Sequence, residues 1–311
     1  MTDLRHTATS AGGAPGGTAK RFRLGRAAVP YLLLVPSFAL LGVVLIYPLI
    51  YNIYLSFFSW RYTNPAATRF VGFDNYLKLF SDPNFWQVSE FTALFVVATI
   101  LLEFVLGLLG ALLLSSLFQS RKWLATVILL PYLVAPIAVG LNWRLLWNYE
   151  FGLVNYFLVL LGMDPVNWLG QSNLAQTAVI ITEVWRSTPF VTIILLAGLT
   201  SIPRESMEAA RIDGTNAWQE LVHVILPLLR PSLTIALLFQ TIVKLRVFDL
   251  IYIMTAGGPG ISTQPYGIYI YRTYFRYFDG GQAATIAVVL MLLGALISVV
   301  YIRLVYKEVE H

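Results

Sequence analysis

Phe91-Thr-Ala-Leu-Phe-Val-Val-Ala-Thr-Ile-Leu-Leu-Glu103-Phe-Val-Leu-Gly-Leu-Leu-Gly-Ala-Leu-Leu-Leu-Ser-Ser-Leu-Phe118 is an unbroken apolar run whose single charged residue is Glu103. A helix needs roughly 20 apolar residues to cross a hydrocarbon core, and this run exceeds that. It does not alternate apolar with polar, so it reads as a membrane helix rather than a barrel strand. Comparable stretches lie near 30–56, 123–147, 174–200, 229–255 and 281–303. The fold class expected is therefore an all-α membrane protein, a six-helix transmembrane bundle. Pro131 and Pro136 interrupt 123–147, so that stretch also fits a re-entrant segment. The composition agrees: 58% hydrophobic and 12% charged, where a soluble domain is nearer 25% charged.

Residues 1–27 are rich in Gly, Ala, Thr and Ser and carry Arg5, Lys20, Arg21, Arg23 and Arg26, which reads as a disordered basic tail ahead of a membrane domain over 28–311. The tail resembles the start of a signal peptide, but the apolar run that follows is too long for one, so the first span is expected to be retained. Cysteine is absent, which excludes disulfides and thiolate chemistry. His6, His223 and His311 are too scattered to suggest a metal site. The net charge of +5 reports topology rather than nucleic acid. With the N-terminus inside, the inner segments hold twelve Lys and Arg: the tail's five, Arg121, Lys122, Arg204, Arg211, Arg230, Arg303 and Lys307. The outer segments hold five: Arg61, Arg69, Lys78, Arg272 and Arg276. That bias places both termini in the cytoplasm.

Two outer connections have distinct chemistry. Residues 59–90 gather Trp60, Tyr62, Phe70, Phe73, Tyr76, Phe80, Phe85 and Trp86, which fits an interfacial aromatic belt for most of them, or a surface for an external partner. Ala256-Gly-Gly-Pro-Gly-Ile-Ser-Thr-Gln-Pro265 is a Gly/Pro loop that ends the fifth span. The inner connection over 201–230 is more informative. Pro203 suits a first helical turn, with Glu205 and Glu208 near the positive end of the helix dipole. Asp213-Gly214-Thr215-Asn216 reads as a turn, and Asn216 with Gln219 as the cap of a second helix. Met207, Ala210, Gly214, Trp218, Leu221 and Ile225 recur at helical steps, and Pro227 and Pro231 read as the segment's end. Periodicity alone fits an interfacial amphipathic helix as well.

The residues go further. Glu208-Ala209-Ala210-Arg-Ile-Asp213-Gly214-Thr-Asn-Ala-Trp, continuing to Ile225-Leu-Pro227 and Pro231, resembles the "EAA" signature of binding-protein-dependent ABC importer permeases. The sequence departs from the common pattern at Thr215, where Ala is usual, and at Leu221–Val222, where Phe often appears. Phe70-Val-Gly-Phe-Asp-Asn-Tyr76, Glu183-Val-Trp-Arg186-Ser-Thr-Pro-Phe190 and Val247-Phe-Asp-Leu-Ile-Tyr-Ile-Met-Thr-Ala-Gly-Gly-Pro259 resemble the sugar-type subfamily of maltose, trehalose and glycerol-3-phosphate importers. The resemblance implies a type I importer permease fold in a bacterial or archaeal cytoplasmic membrane. It implies that the segment 203–228 is a coupling helix docking an ATPase through Glu208, Ala209, Ala210, Asp213, Gly214 and Pro227. The partners implied are a second permease, two ATP-binding subunits and an extracytoplasmic solute-binding protein. ATP and Mg would be used by the ATPase subunits and none bound here, since no Gly-x-x-x-x-Gly-Lys-Ser/Thr loop is present.

Charges inside the spans cost about 2.5–3.5 kcal/mol each on insertion scales, so they face partners or water. Glu183 and Arg186, three apart on one helical face, suit an intramembrane ion pair. Lys244, Arg246 and Asp249, with Gln240 and Tyr252, are candidates for either a solute path or a structural role, because the family's fifth span is expected to line the cavity. Trp143, Trp147 and Trp185 add rings on which a polyol can stack. The cargo expected is a sugar or oligosaccharide, with glycerol-3-phosphate or another polyol derivative as the alternative. Six spans with internal charges also permit a secondary transporter, though no paired repeat or proton relay is visible. A membrane-embedded enzyme is disfavoured because no nucleophile, acid–base pair or metal set converges.

Overall fold

The computed structural model describes residues 28–117 and 123–306. The basic tail over 1–27, Arg121, Lys122 and Lys307 lie outside the described residues. Contacts divide the chain into two units between Ile50 and Tyr51. The first unit's described part is helical: α1 (Ala28–Leu41), a π turn (Gly42–Ile46) and the opening of α2 (Tyr47–Ser56). In the second, the hairpin strands β1 (Phe58–Ser59) and β2 (Arg69–Phe70) precede α3 (Asp74–Ser81) and α4 (Pro83–Leu117). Next come α5 (Trp123–Leu133), α6 (Pro136–Leu146), α7 (Leu153–Leu160), α8 (Ser172–Ser201) and α9 (Arg204–Ile212). The chain continues through α10 (Ala217–Glu220), a second π turn (Leu221–Ile225), α11 (Leu226–Leu245), α12 (Asp249–Thr255), α13 (Tyr266–Phe275) and α14 (Gly280–Tyr306).

Five helical stretches are long and apolar enough to cross a membrane: Leu33–Ser56, Pro83–Ser115, Ser172–Ser201, Ala217–Leu245 and Gly280–Arg303. The second starts well before the expected Phe91. Asp82 Oδ1 accepts the Asn84 backbone N–H at 2.9 Å and Pro83 fills the first helical position, so the cap sits upstream of the apolar run.

Three expected boundaries change. The stretch 123–147 is not one straight helix: α5 and α6 bend by 84°. Pro136 forces the preceding Ala135 into extended backbone (ψ 134°), while Pro131 sits inside α5. The fifth span does not continue from 229 to 255. It breaks at Arg246–Phe248, which brings the Val247 carbonyl against Gly267 of α13; a Cβ at Gly267 would lie 2.7 Å from that oxygen. Finally, Pro227 and Pro231 do not stop the inner segment, because helix runs from Ala217 to Leu245. In the π turn before Pro227 the Leu226 N–H reaches back five residues to the Leu221 carbonyl, and this wider turn relieves the clash that a proline makes with the fourth carbonyl before it.

α4 lies along α8, and α5 and α11 pack against α8 as well. Ala111, Leu114, Val191, Leu195 and Leu196 fill one core between α4 and α8. At one end of the helices the segments on either side of the bundle knit together. The Tyr62 N–H donates to the Phe278 carbonyl at 3.1 Å and the Gly281 N–H to the Trp60 carbonyl at 3.0 Å. The Tyr269 hydroxyl donates to Asp82 Oδ2 at 2.8 Å. Phe85, expected in an aromatic belt, is instead core: it is buried with Leu79, Val88, Tyr266 and Tyr269. Tyr62, Phe70, Phe73 and Trp86 remain exposed.

Candidate functional site

At the opposite end of α8 and α11, the segment over 203–228 forms a helical hairpin. α9 ends at Ile212 with Asp213 as its cap, and Gly214 takes a left-handed conformation (φ +78°) that lets the Thr215 N–H and hydroxyl both reach the Ala210 carbonyl. Asn216 and Gln219 form a reciprocal capping box, each side chain accepting from the other's backbone N–H at 2.9 Å. Two of the four orphan donors of α10 are thereby satisfied. Arg211 pairs with Glu220 across the hairpin at 3.3 Å.

The site residues of this segment divide by exposure. Glu208, Ala209, Asp213 and Gly214 are exposed, and a Cβ added at Gly214 would meet no atom within 4 Å. Ala210 is buried under the turn, and Pro227 is half-buried in the helix beyond it. Ile212 is 86% exposed and Trp218 70%. Two large apolar side chains are thus left uncovered beside exposed Ala209 and Gly214.

Four charged residues of the spans, Glu103, Glu183, Arg186 and Lys244, converge inside the bundle. Arg186 Nη2 and Nε donate to Glu183 Oε1 and Oε2 at 2.7 and 3.1 Å, so the pair expected from sequence forms. It is not isolated. Lys244 Nζ contacts Glu183 Oε1 and lies 2.8 Å from Glu103 Oε1. Gln240 Nε2 donates to Glu103 Oε2 at 3.0 Å, and the Ser187 hydroxyl donates to Glu183 Oε1 at 2.7 Å. The Tyr132 ring lies 5.5 Å from the Arg186 guanidinium. Two carboxylates and two cations from α4, α8 and α11 thus form a neutral, buried cluster. Lys244 and Gln240, held open above as path candidates, are both fully buried in it and line no open surface. Glu103, the lone charge of its apolar run, is visible in the sequence, which assigns it no partner.

The other path candidates lie apart from the cluster. Arg246 and Asp249 are exposed at the break in the fifth span. Tyr252 stacks on Phe248 (5.0 Å, 15°) and meets Tyr271 edge-on at 5.4 Å. Trp147 is buried and donates to Thr182 at 3.1 Å, whereas Trp185 is 46% exposed and packs on Trp143. Arg144 donates to the Ile253 carbonyl at 3.2 Å, joining α6 to α12. At the knitted end, burial and then the Asp82 hydrogen bond hold the Tyr269 hydroxyl above the ordinary phenol range. Among the described residues no group of three His, Cys, Asp or Glu could hold a metal.

Comparison with known proteins places this arrangement. The family model described as "Binding-protein-dependent transport system inner membrane component" matches residues 103–311. The sulfoquinovosyl glycerol transport system permease protein of Agrobacterium fabrum is 36% identical over 283 residues, covering 91% of this chain and 92% of that protein. The trehalose/maltose transport system permease protein of Thermococcus litoralis is also 36% identical over 283 residues, covering 91% and 95%. Among solved structures, a chain of a bacterial ABC transporter involved in the import of the acidic polysaccharide alginate superposes with a TM-score of 0.80, at 22% identity over 91% of this chain and 96% of that one.

Proposed function

The chain belongs to the binding-protein-dependent transport system inner membrane component family, and from that membership we propose that it carries a saccharide inward as one permease of an ATP-driven importer. It is a multi-pass membrane protein with the type I permease fold. In the proposed assembly it pairs with a second permease, two ATP-binding subunits that hold ATP and Mg, and an external solute-binding protein. Both termini and the hairpin lie in the cytoplasm, as the Lys and Arg distribution favours. A saccharide cargo is supported by relatives whose names specify trehalose, maltose and sulfoquinovosyl glycerol.

The observation that carries this reading is the exposed face of the hairpin: Glu208, Ala209, Asp213 and Gly214 flanked by uncovered Ile212 and Trp218. An ATPase docked there would push on α9, which leads from α8, and on α10, which is continuous with α11. Closure of the ATPases would then move both helices as rigid levers, the motion alternating access requires. The buried cluster ties α4, α8 and α11 so that the levers move with the bundle.

Gly214→Trp tests the docking. The site has open space around it, so the tryptophan costs the fold only the left-handed backbone, on the order of 1–2 kcal/mol. Co-purification with the ATPase and saccharide uptake should both be lost, while the chain still assembles in the membrane. An intact complex and normal uptake would disprove the docking assignment.

A further inference from the structure

At the knitted end of the helices, a cleft of about 420 Å³ opens between α3, α13 and the start of α14. Lys78, Gln264, Tyr269, Thr273, Tyr277 and Gln282 are among its lining side chains. Its inner wall is fixed. Gln264, Tyr269 and Thr273 are each buried to more than nine-tenths. The Gln264 amide is held by Arg272, the Tyr269 hydroxyl by Asp82, and the Thr273 hydroxyl donates to the Tyr269 carbonyl at 2.9 Å. Its rim is not fixed. Among the described residues, the Lys78 ammonium, the Gln282 amide and the Tyr277 hydroxyl have no hydrogen-bond partner, and no acid lies within ion-pair distance of Lys78. With Lys78 counted, the charges of the lining balance, Lys78 and Arg61 against Asp82 and Asp279, and Arg61 and Asp279 pair at 3.6 Å.

We propose that this cleft is a saccharide-binding site separate from the interior of the bundle, a waypoint that receives a sugar before the membrane passage. The inference rests on the saccharide reading of the preceding section. Sugar hydroxyls each donate and accept, and the cleft offers both: free donors at Lys78 and Gln282, and acceptors at Asp279 and Thr273. One face of a pyranose is apolar, and the exposed Tyr277 ring offers a surface for it. A partner protein is the alternative occupant, but the cleft is concave and its volume lies in the range of small-molecule pockets, roughly 300–1,000 Å³.

The chain has no cysteine, so Gln282→Cys gives it a single thiol in the cleft. The assembled importer in nanodiscs, without solute-binding protein, is labelled with a membrane-impermeant maleimide in the presence of maltose, trehalose or glycerol. The expected result is several-fold slower labelling with at least one sugar and no change with glycerol, while Asn64→Cys, on the same end but outside the cleft, is unaffected. Labelling that no sugar slows overturns the proposal; so does labelling slowed only in a parallel reaction to which sugar-free binding protein is added, a result that would make the cleft a protein-docking surface. Lys78→Gln supplies an independent readout. The KM for uptake should rise roughly tenfold, the loss expected for one hydrogen bond from a charged donor, with maximal rate and binding-protein affinity unchanged. An unchanged KM counts against the site. Wild-type importer that carries no saccharide in any uptake assay would fail the functional reading instead, which the labelling does not require.

Discussion

Lys244 places an ammonium group where no solvent reaches it, and the side chain survives there because Glu183 and Glu103 flank it while Arg186 balances the second carboxylate. Burying such ions costs several kcal/mol each, repaid only when all are paired. The cluster is therefore weak evidence of net stability but strong evidence of register, since α4, α8 and α11 must align for the charges to meet. Lys244→Met leaves an uncompensated carboxylate and should cost about 3–5 kcal/mol, seen as a lower thermal midpoint of the purified protein. Adding Glu103→Gln to that variant should recover part of the loss, because it restores neutrality. An unchanged midpoint for the single variant would show that the cluster is solvated. The Glu183–Arg186 pair was legible in the sequence because a three-residue step fixes its geometry on any helix. The rest of the cluster was not, because Gln240 and Lys244 meet Glu103 and Glu183 only after α11 packs against both α4 and α8, and nothing local encodes that packing.

Elements show the same division between local and distant causes. The Asn216–Gln219 cap and the Gly214 turn depend on neighbours in sequence and were legible there. The proline stop at Pro227 was a local rule that the structure overrides. Each π turn is followed by one residue and then a proline, Tyr47–Pro48 and Leu226–Pro227, so both helices widen where a proline would break them. In a soluble loop water can take the freed carbonyl; in a membrane the helix must stay closed, so widening is favoured over stopping. The start of α14 is set by contact rather than by propensity. Gly281 lies against β1 so closely that a Cβ would sit 2.1 Å from the Phe58 carbonyl oxygen, and its own N–H donates to the Trp60 carbonyl. Backbone cannot swing aside as a side-chain tip can. Gly281→Ala should therefore cost about 1–3 kcal/mol by overpacking and release the hairpin from α14, read as faster amide exchange at Phe58 to Trp60. Exchange at wild-type rates would mean that the contact is not maintained.

The connectivity of the whole chain decides whether the bent α5–α6 pair crosses the membrane or turns back. Residues 57–82 and 256–281 share backbone hydrogen bonds, Tyr62 to Phe278 and Gly281 to Trp60, so they lie on one side. Between them the chain passes through α4, the α5–α6 pair, α8 and α11. If the pair turns back, only three crossings separate the two connections and they fall on opposite membrane faces, which those hydrogen bonds forbid. If the pair crosses, four separate them and they meet. The start of α8 agrees, since Gln176 donates to the Ser262 carbonyl at 2.8 Å on that same side. Six crossings follow, and a bend of 84° is tolerable inside the bilayer where other helices cover the freed backbone. Because the chain lacks cysteine, single thiols report this topology directly. Asn64→Cys, Asp164→Cys and Gly260→Cys should react with an impermeant maleimide on intact cells, and Glu205→Cys only after permeabilisation. A re-entrant α5–α6 would instead shield Asp164→Cys and Gly260→Cys on intact cells and expose Glu205→Cys. That pattern would also separate the cleft's two walls, so the experiment judges the six-span topology and the saccharide site together.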